Sequence, residues 1–381
     1  MQQPLSFSLF CFSTILLAVL QIFYFIILIF FVISYFLFIL GLLRGKKMIA
    51  KNGDDTPHED FSIVVAARNE EQNIGKLLES LSLLEYPKEK FEIIISDDGS
   101  SDKTREIVKS YLTHLSNLTL FAHSTDDLPG KRNALEKGIN HSKFERILIT
   151  DADCVVPQNW LKELDCYFTK ETQFLIGIAP LQKDSGFFNG LSCFENLRSF
   201  LLISSTFGWG HPVSATARNM GFRKNVFQTQ GGYESTKKSL GGDDDLLLKN
   251  FLEKGYIVNL CLSENVAVVS KTNYLTKDYL RQKARHAAAS KFYSKFSKWI
   301  LVFWHLPNLY AQSSILLLPW FPEVSYTFFI KITLDTIVVS ILQKKFKYNF
   351  SLFEIIFYQI FYEIFLIINY FASRFTKFNW K

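Results

Sequence analysis

The 381-residue chain lacks the patterns that mark several large classes of site. It has no GxGxxG and no GxxxxGK[ST], which disfavours dinucleotide binding and P-loop hydrolysis. Its five cysteines, Cys11, Cys154, Cys166, Cys193 and Cys261, show no CxxC and no Cys/His spacing. They read as small buried hydrophobes in a reducing compartment, not as a metal or disulfide framework. No basic run in the middle of the chain is interleaved with aromatics, and the formal net charge is a modest +6, so no nucleic-acid partner is expected. There is no internal repeat and no low-complexity linker. Charge itself is missing in one place: from Leu5 to Leu43 no residue is ionisable as Asp, Glu, Lys or Arg.

That run and a second apolar region, from Trp299 to Lys381, bracket a middle of mixed composition at about His58–Lys298. A membrane span needs about 20 apolar residues. The first run reads as one long tilted helix, a span preceded by an interfacial piece, or a tight hairpin. It is too long, and lacks the basic leader, for a secretory signal. Arg44, Lys46 and Lys47 border it and place the following domain in the cytoplasm, as in a bacterial inner-membrane protein. Three further spans are expected at Trp299–Leu318, Tyr326–Leu342 and Leu352–Tyr370. An even number, with Trp299–Leu318 lying in the interface, would suit the basic C-terminus better. Lys331 and Asp335 stand four apart, ready to pair across a helical turn. The chain thus divides into a 1–47 membrane segment, a 58–298 soluble domain and a 299–381 membrane region.

Strand and helix alternate in the first half of the soluble domain. Phe61–Val65 is a β-branched strand, and Asn73–Leu84 has helical apolar spacing. Phe91–Ser96 suits a strand buried on both faces. Ser101-Asp102 caps a helix over Lys103–Leu115, followed by strand Leu118–Ala122, helix Asn133–Asn140 and strand Arg146–Thr150. The class is α/β with a parallel sheet, whose ligands bind beyond the C-terminal strand ends. A helix is expected over Asp245–Lys254, and Tyr274–Tyr293 reads as a basic amphipathic stretch.

Acidic clusters fall at those strand ends. In Asp151-Ala152-Asp153, extended backbone points both carboxylates one way, towards one Mg²⁺ or Mn²⁺ shared with substrate phosphates. Asp97-Asp98-Gly99-Ser100 offers acceptors to a nucleobase or ribose, beside Arg68-Asn69-Glu70. Pro129-Gly130-Lys131-Arg132-Asn133 puts two cations at a helix start, an anion site. Gly241-Gly242 opens onto Asp243-Asp244-Asp245. One carboxylate there suffices to cap a helix, and another is placed to act as general base. Gln282 and Arg285 are candidates for holding a pyrophosphate.

Six motifs in order resemble the membrane-bound family 2 glycosyltransferases: Val64-Val65-Ala66-Ala67-Arg68-Asn69-Glu70-Glu71, Asp97-Asp98-Gly99-Ser100, Gly130-Lys131-Arg132-Asn133-Ala134-Leu135, Asp151-Ala152-Asp153, Gly242-Asp243-Asp244 and Gln282-Lys283-Ala284-Arg285-His286. The resemblance implies a GT-A fold with a mixed, mainly parallel sheet, flanked by N- and C-terminal transmembrane helices. It implies that Ala66, Arg68, Glu70 and Asp98 contact the nucleoside with Asp97 beside them, and that Lys131 lies near the base or phosphate. Asp153 would hold the metal, and Asp151 the ribose or metal. Asp244 would be the catalytic base, with Asp243 in the preceding acidic place. Gln282 and Arg285 would serve the acceptor and diphosphate. His286 stands where Trp is usual, and Arg218, in Ala217-Arg218-Asn219-Met220, where a small residue is common. The implied activity is metal-dependent, inverting transfer from a nucleotide-sugar, UDP-linked by preference, to a lipid- or glycan-linked acceptor. A processive polysaccharide synthase and a non-catalytic nucleotide-sugar-binding scaffold are the alternatives.

Overall fold

A computed structural model describes residues 5–52, 59–122, 130–236, 242–272 and 276–375. Side chains 5–18, 20, 276–278, 281, 282, 285, 286 and 373–375 fall outside that description. The domain boundary at His58, with Pro129, Gly241 and Tyr274, also lies outside the described residues.

The apolar N-terminal run is one helix, α1 (Leu5–Met48). There follow β1 (Phe61–Ala67), α2 (Ile74–Ser82), β2 (Phe91–Asp97), α3 (Thr104–Tyr111), β3 (Leu118–Ala122), α4 (Lys131–His141) and β4 (Arg146–Ile149). Ile93, Ile94 and Ile95 of β2 are all buried, because helices cover both faces of the sheet. Each such side chain stabilises the fold by about 1.5–3 kcal/mol relative to exposure. Ile74, Leu77, Leu78 and Leu81 turn one face of α2 to that core. Asp102 caps α3 as its position predicts, accepting from Thr104 N, the first N–H of the helix, at 3.0 Å, although Lys103 stands between them; it also accepts from Glu71 N at 3.0 Å.

The second half adds β5 (Cys154–Val155), α5 (Trp160–Tyr167), β6 (Phe174–Gly177), α6 (Phe187–Phe207), β7 (Met220–Arg223), α7 (Lys224–Thr229), α8 (Asp243–Glu253), β8 (Val258–Cys261), β9 (Val269–Ser270) and α9 (Thr276–Ala289). Seven strands form one sheet in the order β3-β2-β1-β4-β7-β6-β8, with β7 antiparallel to both its neighbours and the rest parallel. β5 and β9 pair antiparallel in a small ribbon. Cys154, Cys193 and Cys261 are free and buried, and Cys166 is free and half-buried.

The chain closes with α10 (Lys295–Ser313), α11 (Pro322–Leu342) and α12 (Leu352–Phe375). Among the described residues, three helices are long and apolar enough to cross a membrane, over Gln21–Met48, Pro322–Phe346 and Leu352–Ala372. The span expected at Trp299–Leu318 is not among them. α10 carries Pro307 in its interior and buries Asn308 and Gln312, which interrupt its apolar character.

Among the contacts that join the helices to the domain, two involve residues of α1 and α6. Gly41 and Gly45 of α1 lie against Ser204, Ser205 and Gly208 at the end of α6, so closely that a Cβ on Gly45 would come within 2.8 Å of Ser204 O. Lys331 pairs with Asp335 at 2.8 Å, as its spacing predicts. Asp335 also accepts from Arg198 Nη1 of α6 at 2.7 Å and from the Tyr35 hydroxyl of α1 at 3.0 Å.

Candidate active site

Parallel register sets the ends of β1, β2 and β4 side by side, pairing Ala67 with Asp97 and Val64 with Ile149. The loops after β1 and β2 are tied together. Asn69 takes a positive φ of 54°; its Oδ1 accepts from Ser101 N at 2.9 Å and its N–H donates to Ser100 Oγ at 3.0 Å. Glu70 N donates to Thr104 Oγ1 at 2.8 Å. These bonds hold two carboxylates at the sheet's edge. Asp98 accepts from Arg68 Nη1 at 3.3 Å, and Asp97 from Arg105 Nε at 2.5 Å and Ser100 N at 3.2 Å. Both carboxylates are buried. Asp97 Oδ1 and Arg68 Nε are buried with no hydrogen-bond partner. An unfilled acceptor and an unfilled donor suit a ligand edge that carries both, such as a nucleobase. Ala66 lies one residue before the end of β1, half-buried, opposite Ser96.

Beyond β4, the Lys131 ammonium donates to Asp151. Burial opposes the charge on Lys131, but Asp151, then Asp243 and Asp244, hold it protonated above its ordinary range. Burial, then Asp151 and Glu70, push the Asp153 carboxyl up to about 6, with Arg218 and Lys131 opposing. Carboxylates crowded in this way are stabilised by a cation. Two hard oxygen donors fit Mg²⁺ or Mn²⁺, which bind through one or two carboxylates plus substrate phosphates. Among the described residues no group of three His, Cys, Asp or Glu forms a complete ligand set, so the remaining positions would fall to phosphate and water.

The third acidic cluster opens α8, beginning at Asp243 and not at Asp245. Gly242 occupies the cap position at φ 70°, where a side-chain cap is impossible. The three carboxylates stand in the first turn, at the positive end of the helix dipole, and their environments differ. Asp243 accepts from Arg132 Nε at 2.6 Å. Asp245 accepts from Ser214 Oγ at 2.6 Å, Ala215 N at 3.2 Å and the Tyr293 hydroxyl. Asp244 is bonded by backbone alone, from Ala217 N and Asp245 N, each at 3.0 Å. Burial, then Asp245 and Asp243, raise its pKa to about 7, against those two N–H donors. A carboxyl that titrates near neutrality is suited to general-base work.

The acidic clusters are linked: Lys131 bonds Asp151 and is within electrostatic reach of Asp243 and Asp244, while the Ala217-Arg218 loop bonds Asp244 through Ala217 N and acts on Asp153 through Arg218. Gln282 and Arg285 sit on α9, their side chains outside the described residues; the end of that helix reaches the site, since a Cβ on Gly242 would meet Ala289. Sequence reasoning assigned Arg132 to an anion site, but it turns to Asp243. It did not anticipate Arg105 or Tyr293. It also missed Tyr233, whose buried hydroxyl has no hydrogen-bond partner and whose pKa burial, Asp243 and Asp244 raise. These residues arrive from outside the acidic motifs, and no local spacing marks them.

Residues 62–230 match the family model described as Glycosyl transferase family 2. A beta-monoglucosyldiacylglycerol synthase from Synechocystis sp. is 29% identical over 129 residues, 34% of this chain and 27% of that protein. A 4,4'-diaponeurosporenoate glycosyltransferase from Staphylococcus aureus is 26% identical over 198 residues, 48% of this chain and 49% of that protein. The match thus spans about a quarter to a half of the length of these curated relatives. A mannosyltransferase from Pyrobaculum calidifontis, solved in complex with GDP-Man and Mn²⁺, aligns with a TM-score of 0.58 at 15% identity, covering 91% of this chain and 98% of that one. That likeness is one of fold.

Proposed function

We propose that the chain, whose residues 62–230 match the model of glycosyl transferase family 2 and which folds as a GT-A domain beside apolar helices, moves a sugar from a nucleotide-diphosphate sugar to a lipid acceptor at the membrane surface. The observation that supports this reading is the link from Asp151 through Lys131 towards Asp243 and Asp244, and from Asp244 through the Ala217-Arg218 loop towards Asp153. One end of that pocket suits a nucleoside diphosphate, the other a hydroxyl about to lose its proton. The names of two relatives refer to lipids, diacylglycerol and diaponeurosporenoate, which favours a lipid here over a soluble glycan.

Asp97 and Arg68 receive the base, with Ala66, Glu70 and Asp98 around it, and Lys131 lies on the phosphate side. A divalent cation held by Asp153 and Asp151 would neutralise charge on the departing diphosphate. Asp244 takes the acceptor's hydroxyl proton on a carboxylate oxygen. The freed oxygen attacks the anomeric carbon from the face opposite the diphosphate. As that bond forms, the bond from the anomeric carbon to the phosphate oxygen breaks, and its electron pair leaves on the nucleoside diphosphate. Configuration inverts. Arg132 offsets the charge of Asp243, so the neighbouring Asp244 can reach its ionised form near neutrality. Holding both substrates in line supplies much of the acceleration. The basic border at Arg44, Lys46 and Lys47 supports a cytoplasmic catalytic domain on an inner membrane. Gln282 and Arg285 keep their assignment to the acceptor and diphosphate region.

The test is a donor screen on purified protein, UDP-sugars first, with Mn²⁺ or Mg²⁺ and a membrane lipid extract, reading nucleoside diphosphate release. Release that depends on the extract and stops on chelation is expected. Donor binding without release under any acceptor would leave a scaffold in place of an enzyme. The size of the product separates single transfer from processive synthesis.

A further inference from the structure

Four cations that line the pocket are each matched by a carboxylate: Arg68 by Asp98, Arg105 by Asp97, Lys131 by Asp151 and Arg132 by Asp243. Arg218 is not. Its Nη1 donates to a neutral group, Ser270 Oγ, at 2.8 Å, and among the described residues no carboxylate stands within ion-pair distance of it.

Its position is fixed by its neighbours. Ala217 N holds Asp244 at 3.0 Å. Asn219 is buried and anchored on three sides: its Nδ2 donates to Ile178 O and Val266 O, both at 2.7 Å, and its Oδ1 accepts from Trp160 Nε1 at 3.1 Å. Ser270, which Arg218 reaches, pairs across the β5–β9 ribbon with Cys154, the residue after Asp153. The loop thereby holds Asp244 through Ala217 N and brings the Arg218 guanidinium within electrostatic reach of Asp153.

The same spot adjoins the membrane helices. Ser270 O accepts from Gln182 N at 2.8 Å, and Leu181 N donates to the hydroxyl of Tyr348, in the turn between α11 and α12, at 2.8 Å. Lys183 then pairs with Glu354 of α12 at 2.7 Å. Arg218 therefore stands on the wall of the site that faces the end of the bundle. The donor diphosphate has its own provision at Lys131, Asp151 and Asp153. A guanidinium with no carboxylate at ion-pair distance among the described residues, one residue along from the N–H that holds Asp244 and next to the membrane helices, suits an anion on the other substrate.

We propose that Arg218 binds an oxyanion carried by the acceptor, a phosphate or carboxylate near the hydroxyl that Asp244 deprotonates, so that the enzyme selects acidic lipids over neutral ones. The inference rests on the glycosyltransferase reading above.

The experiment uses the full chain in detergent, with a membrane lipid extract split by anion exchange into neutral and acidic fractions. Transfer is expected with the acidic fraction. Arg218→Ala should raise the half-saturating amount of that fraction about ten-fold or more while kcat changes little, and Arg218→Lys should recover part of the loss. Donor affinity, measured by calorimetry, should stay within about two-fold in both variants. Phosphatidic acid vesicles competing more strongly than palmitate vesicles would identify a phosphate, and the reverse a carboxylate. Competition by neither counts against the proposal. So does transfer confined to the neutral fraction. An Arg218→Ala variant that weakens donor and acceptor alike overturns it by assigning the guanidinium to the leaving diphosphate. Release with neither fraction in the parent enzyme would instead remove the glycosyltransferase reading, and this inference with it.

Discussion

Arg132 Nε lies 2.6 Å from Asp243 Oδ1, across 111 residues of chain, with the Arg132 side chain only 2% exposed. This pair fastens the start of α4 to the start of α8 and so brings the donor half of the pocket to the half that holds Asp244.

Removing one member of that pair leaves the other buried and uncompensated. Arg132→Met is expected to destabilise the protein by about 3 kcal/mol. Asp243→Asn keeps the shape and a hydrogen-bond acceptor, and should cost less. Thermal melting of the detergent-solubilised variants measures both. Equal melting points for parent and Arg132→Met would show that the pair does not hold the two halves together.

Asp244→Asn should cut transfer by about 10²- to 10⁴-fold, the range for a general base, while donor affinity moves by no more than a few-fold. Turnover by the variant at the parent rate would remove Asp244 from the chemistry.

The pH profile follows from the same carboxyl. Burial and Asp245 favour its protonated form and raise its pKa to about 7. Only the ionised form accepts the acceptor's proton. Activity should therefore rise with pH up to about 7 and flatten above it, falling about ten-fold per unit on the acid side. Asp245→Asn removes the neighbouring charge and should move that limb to lower pH. A limb that stays in place would mean that another group titrates.

Asp335 serves Lys331, Arg198 and Tyr35 together. Asp335→Asn strands two cations and should cost about 3–5 kcal/mol. Replacing Lys331, Arg198 and Asp335 together by Met, Met and Leu should restore most of that stability, because a well-packed apolar set avoids the desolvation of buried charge. Melting curves of the single and triple variants decide this, and a triple variant as weak as the single one would point to a role beyond packing.

Gly208 and Gly75 should respond in opposite ways to alanine. A Cβ on Gly208 runs into the α1 backbone at Gly41, so Gly208→Ala should cost about 1–3 kcal/mol. On Gly75 in α2 it meets only Ile107 Cγ2 at 3.8 Å, and the gain in helix propensity should be about 0.5–1 kcal/mol. Melting shifts of the same sign would refute the contrast.

Much of the first half of the domain was readable because local pattern and fold agree there. The run Phe91–Ser96 could hardly be other than a covered strand, and β3 falls where its apolar residues predict. The second half was harder, since α6 is buried nearly all round and carries no amphipathic period to mark it. The antiparallel insertion of β7 is a long-range pairing that four residues do not announce. At the site, the acidic motifs were visible because carboxylates at strand ends repel one another without a reason to be there. Their division of labour was not, because it depends on Arg132, Ala217 and Tyr293 arriving from distant segments. The supposed span at Trp299–Leu318 misled because its length was weighed more heavily than Pro307, Asn308 and Gln312.

The glycine contact of Gly41 and Gly45 with the end of α6 leaves no slack between anchor and catalytic body. For the proposed transfer to a lipid, that contact would carry Asp244 at a set height over the bilayer, and reach would become a sieve: a hydroxyl seated too deep in the headgroups, or held out on too long a stem, would never arrive in line. On the same proposal, lengthening α1 by a turn would shift which lipid hydroxyls come within reach without altering a single residue of the pocket.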